Sequence, residues 1–231
     1  MFYFTGDTHG DLNRFAYHAA YDGEETWSAG DYLFICGDFG YLSADDPRKE
    51  AFLDQLATRP YTICFCDGNH ENFDLLESLP VEEWKGGSVH RIRPNILHLM
   101  RGQIYEIDGR TVFAMGGAYS VDRETRTEGR SWWRREIPAK EEIALATQNL
   151  MSRGNRVDFI LTHTAPREVI DLMEPEYDPH DADLTAFLDR VRRSVDFRHW
   201  FFGHWHMDKN FGSRIHGLNF GVVSIDPAQE V

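Results

Sequence analysis

Asp7, His9, Asp38, Asn69, His70, His163, His204 and His206 fall in five short polar motifs, each set just after an apolar, strand-like run. The motifs are Gly6-Asp7-Thr8-His9 after MFYFT, Gly37-Asp38 after DYLFIC, Gly68-Asn69-His70-Glu71 after YTICFCD, Thr162-His163 after VDFIL, and Gly203-His204-Trp205-His206 after WFF. Imidazole, carboxylate and one amide oxygen, with no thiolate, suit manganese, iron, zinc or cobalt better than a structural zinc knot or an all-oxygen calcium site. In α/β proteins, sites assemble at the carboxyl ends of strands, so five such ends carrying Asp, Asn and His point to one convergent metal centre. Alternate side chains of a strand share a face, so Asp7 with His9, and His204 with His206, are expected to point the same way and grip one cation per pair. The glycine before or near each ligand lets the backbone turn sharply and approach an ion closely. Taken singly, Gly-Asp or Gly-Asn-His is more often a turn than a site. Five in order, each behind an apolar run, are not accounted for that way.

The order of these blocks, D-x-H, G-D, G-N-H-E, H and G-H-x-H, resembles the calcineurin-like metallophosphoesterase superfamily over nearly the whole chain, from Asp7 to His206. The resemblance implies an αββα sandwich of two mixed sheets and two divalent ions, manganese first, with iron, zinc, cobalt or nickel as alternatives. It places Asp7, His9, Asp38 and His206 on one ion, and Asp38, Asn69, His163 and His204 on the other. Asp38 is the natural bridge, because a carboxylate has two oxygens to share. Two ions about 3.5–4 Å apart acidify a bridging water and clamp phosphoryl oxygens, so hydroxide is the expected nucleophile on phosphorus. His70 is implied as general acid, or as hydrogen-bond donor to the transition state. Glu71 or Asp38 would orient it, and the sequence does not choose between them.

The implied activity is hydrolysis of a small phosphomonoester or phosphodiester. The alternatives are a protein phosphatase, a nuclease or a non-catalytic metal-binding scaffold. In the serine/threonine protein phosphatases the second block runs on to G-D-x-x-D-R-G and an Arg precedes the third. Here those stretches read Gly37-Asp38-Phe39-Gly40-Tyr41-Leu42 and Asp67-Gly68-Asn69-His70, so both phosphate-gripping arginines are missing. An aspartate at position 67 is expected to repel a phosphate dianion, which counts against that subgroup.

Residues 117–137 stand outside the motifs as a loop or small cap, with Arg123, Arg126, Arg130, Arg134, Arg135, Trp132 and Trp133. The simpler reading is a solvated loop whose charges pair with Asp122, Glu124, Glu128 and Glu136. A long loop inside a compact domain is often functional, however, and Arg123 and Arg126 lie nearest the scaffold as candidates for the missing phosphate grip. Tyr119 or a tryptophan is a candidate for stacking on a base or sugar.

The chain has 231 residues, 42% of them hydrophobic, enough for a single domain over 1–231 with one substantial core. With 24 basic against 38 acidic residues its formal charge is -14, which argues against duplex nucleic acid or an anionic membrane as partner. A small phosphorylated substrate remains compatible, since bound cations add local positive charge. A cleaved leader would remove Asp7 and His9, no apolar run approaches the ~18 residues of a bilayer span, and Cys36, Cys64 and Cys66 suit a reducing compartment as buried thiols. The expected location is the cytoplasm. His18, His90, His98, His180, His199 and His216 match no motif, with His216 the candidate exception because it follows the last block.

Strands alternate with helical stretches around Asp11 to Tyr21, Pro47 to Ala57, after Glu71, Pro138 to Arg153, and Ala182 to Ser194, a βαβ pattern. Between Ser88 and Met115 the pattern changes to short strands, with Asp108-Gly109 as a hairpin turn, and LNFGVVSID is expected to close a sheet.

Overall fold

The apolar runs ahead of the motifs are the buried central strands of two sheets. A computed structural model describes residues 1–15, 23–174 and 180–229. The first sheet takes β1 (Phe2–Thr5), β2 (Tyr32–Ile35), β3 (Thr62–Phe65), β4 (Val81–Trp84), β5 (Gly87–Arg93) and β6 (Ile96–Leu99). The second takes β7 (Gln103–Ile107), β8 (Arg110–Met115), β9 (Phe159–Thr162), β10 (His199–Phe202), β11 (Lys209–Phe211) and β12 (Ile215–Gly217), and β13 (Val222–Ile225) returns to the first. Their orders are β13-β1-β2-β3-β6-β5-β4 and β11-β12-β10-β9-β8-β7. Each sheet is parallel at its centre and antiparallel at its edges. Strands covered on both faces need no polar alternation, which is why YLFI, TICF and FILT read as continuous apolar runs.

Side-chain alternation then builds three apolar layers. Phe2, Phe4 and Phe34 point inward and meet Val112, Phe159, Leu161 and Phe201 of the second sheet. The Phe4 and Phe201 rings stack at 3.8 Å, joining the two strands whose ends carry Asp7 and His204. Leu33, Ile35 and Phe65 point outward under α1 (Pro47–Leu56) and α2 (Phe73–Ser78). On the far side, Ile160, Trp200 and Phe202 lie under α3 (Lys140–Ser152), α4 (Arg167–Ile170) and α5 (Ala182–Ser194). This is the αββα sandwich.

Asp108 and Gly109 both take positive φ, 50° and 76°, and make the tight hairpin between β7 and β8. The helix expected over Asp11 to Tyr21 is not seen in its described part. Residues 12–15 form turns, with Asp11 accepting from the Asn13 backbone N–H at 2.9 Å, while 16–21, and His18 with them, lie outside the described residues. Three short strands and one short α-helix were not foreseen, β4, β11, β12 and α4. β4 reads VEEW and alternates exposed and half-buried at the sheet edge, so it lacks an apolar run. Among the described residues no helix is long and apolar enough to cross a membrane.

Candidate metal centre

All five motif-bearing strands, β1, β2, β3, β9 and β10, deliver their loops to one place, but strand alternation does not aim the ligands. β1 ends at Thr5 and β10 at Phe202, so Asp7, His9, His204 and His206 all lie beyond the strands. Convergence comes instead from left-handed backbone at His9 (φ 50°), Asp38 (48°), His204 (64°) and His206 (47°). These are four of the seven non-glycine residues with positive φ among the described residues, so backbone strain is concentrated here. The neighbouring glycines mostly serve close approach rather than turning. A Cβ on Gly68 would lie 2.1 Å from Asp38 Oδ1 and one on Gly203 2.0 Å from Asp7 Oδ1. Gly37, at φ 90°, and Gly10, at φ 66°, also need glycine's conformational freedom.

Asp7, His9 and His206 form one group of close donor atoms. The His206 Nε2 lies 3.1 Å from Asp7 Oδ2, and the His9 Nε2 lies 3.6 Å from that oxygen and 2.9 Å from His206 Nε2. Asp7 itself is fixed by the His204 backbone N–H, which donates to both carboxylate oxygens. Asp38, Asp7 and His163 form a second group, with His163 Nε2 3.5 Å from Asp38 Oδ1 and 2.9 Å from Asn69 Oδ1. His9 connects the groups, since its Nδ1 is 3.7 Å from Asp38 Oδ2. His204 stands beside them with its ring 5.0 Å from that of His163. All seven residues expected as ligands are thus brought to one site, with His204 outside the closest donor groups.

The donor chemistry fits a cation. His163 Nδ1 faces the Cys36 carbonyl at 2.7 Å, and a carbonyl only accepts, so Nδ1 carries hydrogen; a neutral ring would then turn an Nε2 lone pair toward Asn69 Oδ1 and Asp38 Oδ1. Lone pairs facing one another require a positive charge between them. Burial pulls His163 toward neutrality, but the carboxylates of Asp38 and Asp7 outweigh it and hold its pKa above the ordinary value. Burial raises Asp7, yet hydrogen bonds from His206 and His9 hold its carboxyl well below the usual range. His9 is raised despite burial and His206 is raised, each chiefly by Asp7. In each case a proton supplies the positive charge that a divalent ion would supply in its place. Burial pushes His204 down to about 3, leaving a neutral ring with a lone pair to offer.

The third block divides its labour. Asp38 Oδ1 accepts the His70 backbone N–H at 2.7 Å, and the His70 ring lies 5.1 Å from that of His9. Surrounding protein holds the His70 pKa below the ordinary value although its outer edge is exposed. Glu71 does not orient that ring. Its buried carboxylate accepts from the backbone N–H groups of Phe39 (2.6 Å) and Gly40 (3.2 Å), which clamps the Asp38 loop, and burial together with the Asp38 charge pushes it up to about 7.

Asp67 does not face a substrate either, contrary to the expectation that it would repel phosphate. It is buried against Arg101, which donates from Nε at 2.8 Å and Nη2 at 2.6 Å, with His98 Nε2 at 3.2 Å. Burial raises its carboxyl, but Arg101 and His98 outweigh that and hold it below the usual range.

A cleft of about 500 Å³ opens from Asp38, Asn69, His70, His204 and His206 toward Tyr119, Val121, Asp122, Glu174 and Trp205. The 117–137 segment therefore reaches the cleft, but its arginines do not line it. Arg123 donates to the buried Glu136, and Arg126 to Ser120 Oγ, Asp122 and the Ser131 carbonyl; neither is among the described residues lining the cleft. The expected phosphate grip by Arg123 and Arg126 is not seen, because internal acceptors already hold both guanidinium groups. Nor is Tyr119 free to stack. Arg123 lies 3.8 Å over its ring and the His180 ring stacks on it at 4.3 Å, too close for both to share one face. His216, the other candidate, is buried in a chain with His199 (3.0 Å) and Asn210 (2.8 Å). The sequence reading missed Ser120, Arg101 and Glu174. Trp205 had a signal, since it sits inside the last block.

No curated protein matches the chain. Among solved structures, the crystal structure of phosphopantetheinyl hydrolase from Mycobacterium tuberculosis is similar at 12% identity and a TM-score of 0.43, covering 100% of this chain and 98% of that one. At that level of likeness nothing about its substrate transfers. The sequence pattern of the calcineurin-like phosphoesterases matches residues 1–208, which contain every residue of the site and both sheets except β11 to β13. On that match over most of its length, with the motif residues gathered where the strands end, the chain belongs to the calcineurin-like phosphoesterase family.

Proposed function

We propose that the protein hydrolyses a small phosphomonoester or phosphodiester at a two-ion centre, manganese being the first candidate. The observation that carries this is the meeting of buried lone pairs from Asp7, Asp38, Asn69 and His163, which are opposed by imidazoles and by no Lys or Arg among the described residues. Asp7, His9 and His206 would hold one ion; Asn69, His163 and His204 the other, with Asp38 between. When bound, such ions neutralise phosphoryl oxygens and acidify a water. The protein's own groups then position and exclude. Glu71 and the Gly68 approach keep Asp38 in its left-handed turn, so its two oxygens face His9 and His163. His70 is held toward neutrality at the rim and serves as an N–H donor to the phosphoryl or leaving-group oxygen. No Lys or Arg lines the described cleft, so anion capture falls to the ions. The cleft volume suits a small ligand rather than a folded partner.

The test is a screen of chelator-stripped protein with Mn, Fe, Zn, Co, Ni and Mg supplied separately, reading p-nitrophenol release from the mono- and bis-p-nitrophenyl phosphates. Activity should be absent without metal and return with two ions per chain. Two bound ions and no turnover of either ester would leave a metal-binding scaffold instead.

A further inference from the structure

We infer that Ser120 is a positioning residue for the second ion: it decides which end of the Asn69 amide faces the ligand cluster. This rests on the metal-site reading above. The Ser120 side chain is buried at the start of the 117–137 segment, and its single hydroxyl is saturated. Asn69 Nδ2 donates to Oγ at 3.1 Å and Arg126 Nη1 at 2.9 Å, and both can only donate. The hydroxyl therefore gives its one hydrogen to the Glu136 carboxylate, whose Oε2 lies at 2.9 Å. Glu136 is fixed in turn, because its Oε1 accepts from the Ser120 backbone N–H (2.8 Å) and from Arg123 Nε (2.9 Å).

With the hydrogen committed to Glu136, Ser120 Oγ presents only lone pairs to Asn69. A flipped amide would set oxygen against oxygen there and turn its NH₂ toward His163 Nε2, where the ion belongs. The present orientation leaves Asn69 Oδ1 2.9 Å from His163 Nε2. Arg123 thus bears on Asn69 through Glu136 and Ser120, and Arg126 through Ser120.

The experiment titrates metal-free protein with Mn²⁺ by calorimetry and counts bound ions by elemental analysis. Ser120→Ala should weaken one of the two ions by about 10- to 100-fold, the range for lost outer-shell partners, and leave the other unchanged, while Ser120→Thr keeps both. In an Asn69→Ala background the same Ser120→Ala change should cost nothing further. A loss as large there as in the natural protein, or equal weakening of both ions, shows that Ser120 acts through the fold and overturns the inference. If Ser120→Ala is too unstable to titrate, Ser120→Cys offers a much weaker acceptor of similar length and should show the same one-ion loss; unchanged affinity overturns the inference. A natural protein that binds no divalent ion defeats the metal-site reading itself. Two ions in the natural protein with unchanged affinity in Ser120→Ala defeat only the role of Ser120.

Discussion

His70 carries the clearest residue-scale expectation. Its pKa lies below the ordinary value, so at neutral pH the ring is an uncharged N–H donor and not an imidazolium with a proton to give away. His70→Ala should keep both ions even though its ring lies in a donor group with His9 and Asp38, because the contact that holds Asp38 at 2.7 Å comes from the backbone N–H. Turnover should fall by about 10²–10³-fold, the range for one lost transition-state donor, to a similar degree for good and poor leaving groups. Steady-state rates on p-nitrophenyl and alkyl phosphates decide it. A loss much larger for the alkyl ester restores general-acid catalysis. That the seven motif residues would meet was legible in the sequence, since the block order marked them, whereas Ser120 and Glu174 carried no such mark. How they are aimed was not, because the left-handed turns at His9, Asp38, His204 and His206 depend on loops packing against other loops.

Among elements, the turn between β6 and β7 fastens parts of the chain that no local pattern connects. Arg101 reaches from it to Asp67 after β3, to the carbonyls of Arg135 and Glu136, and to Glu142 of α3. Both Arg101 and Asp67 are buried, so Arg101→Met strands a carboxylate in the interior and should destabilise by about 3–5 kcal/mol in urea unfolding at pH 7. Adding Asp67→Asn should recover much of that loss. Strict additivity of the two changes would mean the pair is not coupled. Such ties were illegible because their partners lie 34 and 41 positions apart. Strands with apolar runs and helices such as Ala182–Ser194 were legible, the latter because Leu184, Phe187, Leu188 and Val191 repeat at helical spacing. Val81–Trp84 was not, since a four-residue edge strand with two glutamates carries no such repeat.

For the whole molecule, two buried histidines away from the ligands set an acid limit. Burial pushes His90 and His216 down to about 4 in the folded protein, against about 6.5 when unfolded. Above 6.5 both states are neutral and nothing is gained or lost. Below it the unfolded chain takes up protons the folded one refuses, so stability falls as pH drops from 6.5 toward 4 and then levels. Metal-free protein should lose about 2 kcal/mol per histidine between pH 7 and 5, and His216→Asn should flatten that slope. An unchanged slope in the variant would show that His216 is not a source. The two sheets also divide the site between them. Asp7, His9, Asp38 and Asn69 follow strands of the first, while His163, His204 and His206 follow strands of the second. Neither sheet alone holds a complete cage, and its members run from position 7 to position 206. A chain growing from its amino end therefore lacks a complete cage until His206 has been made and the two sheets have docked. A divalent ion held there would act as a lock on a finished sandwich rather than a seed for its folding.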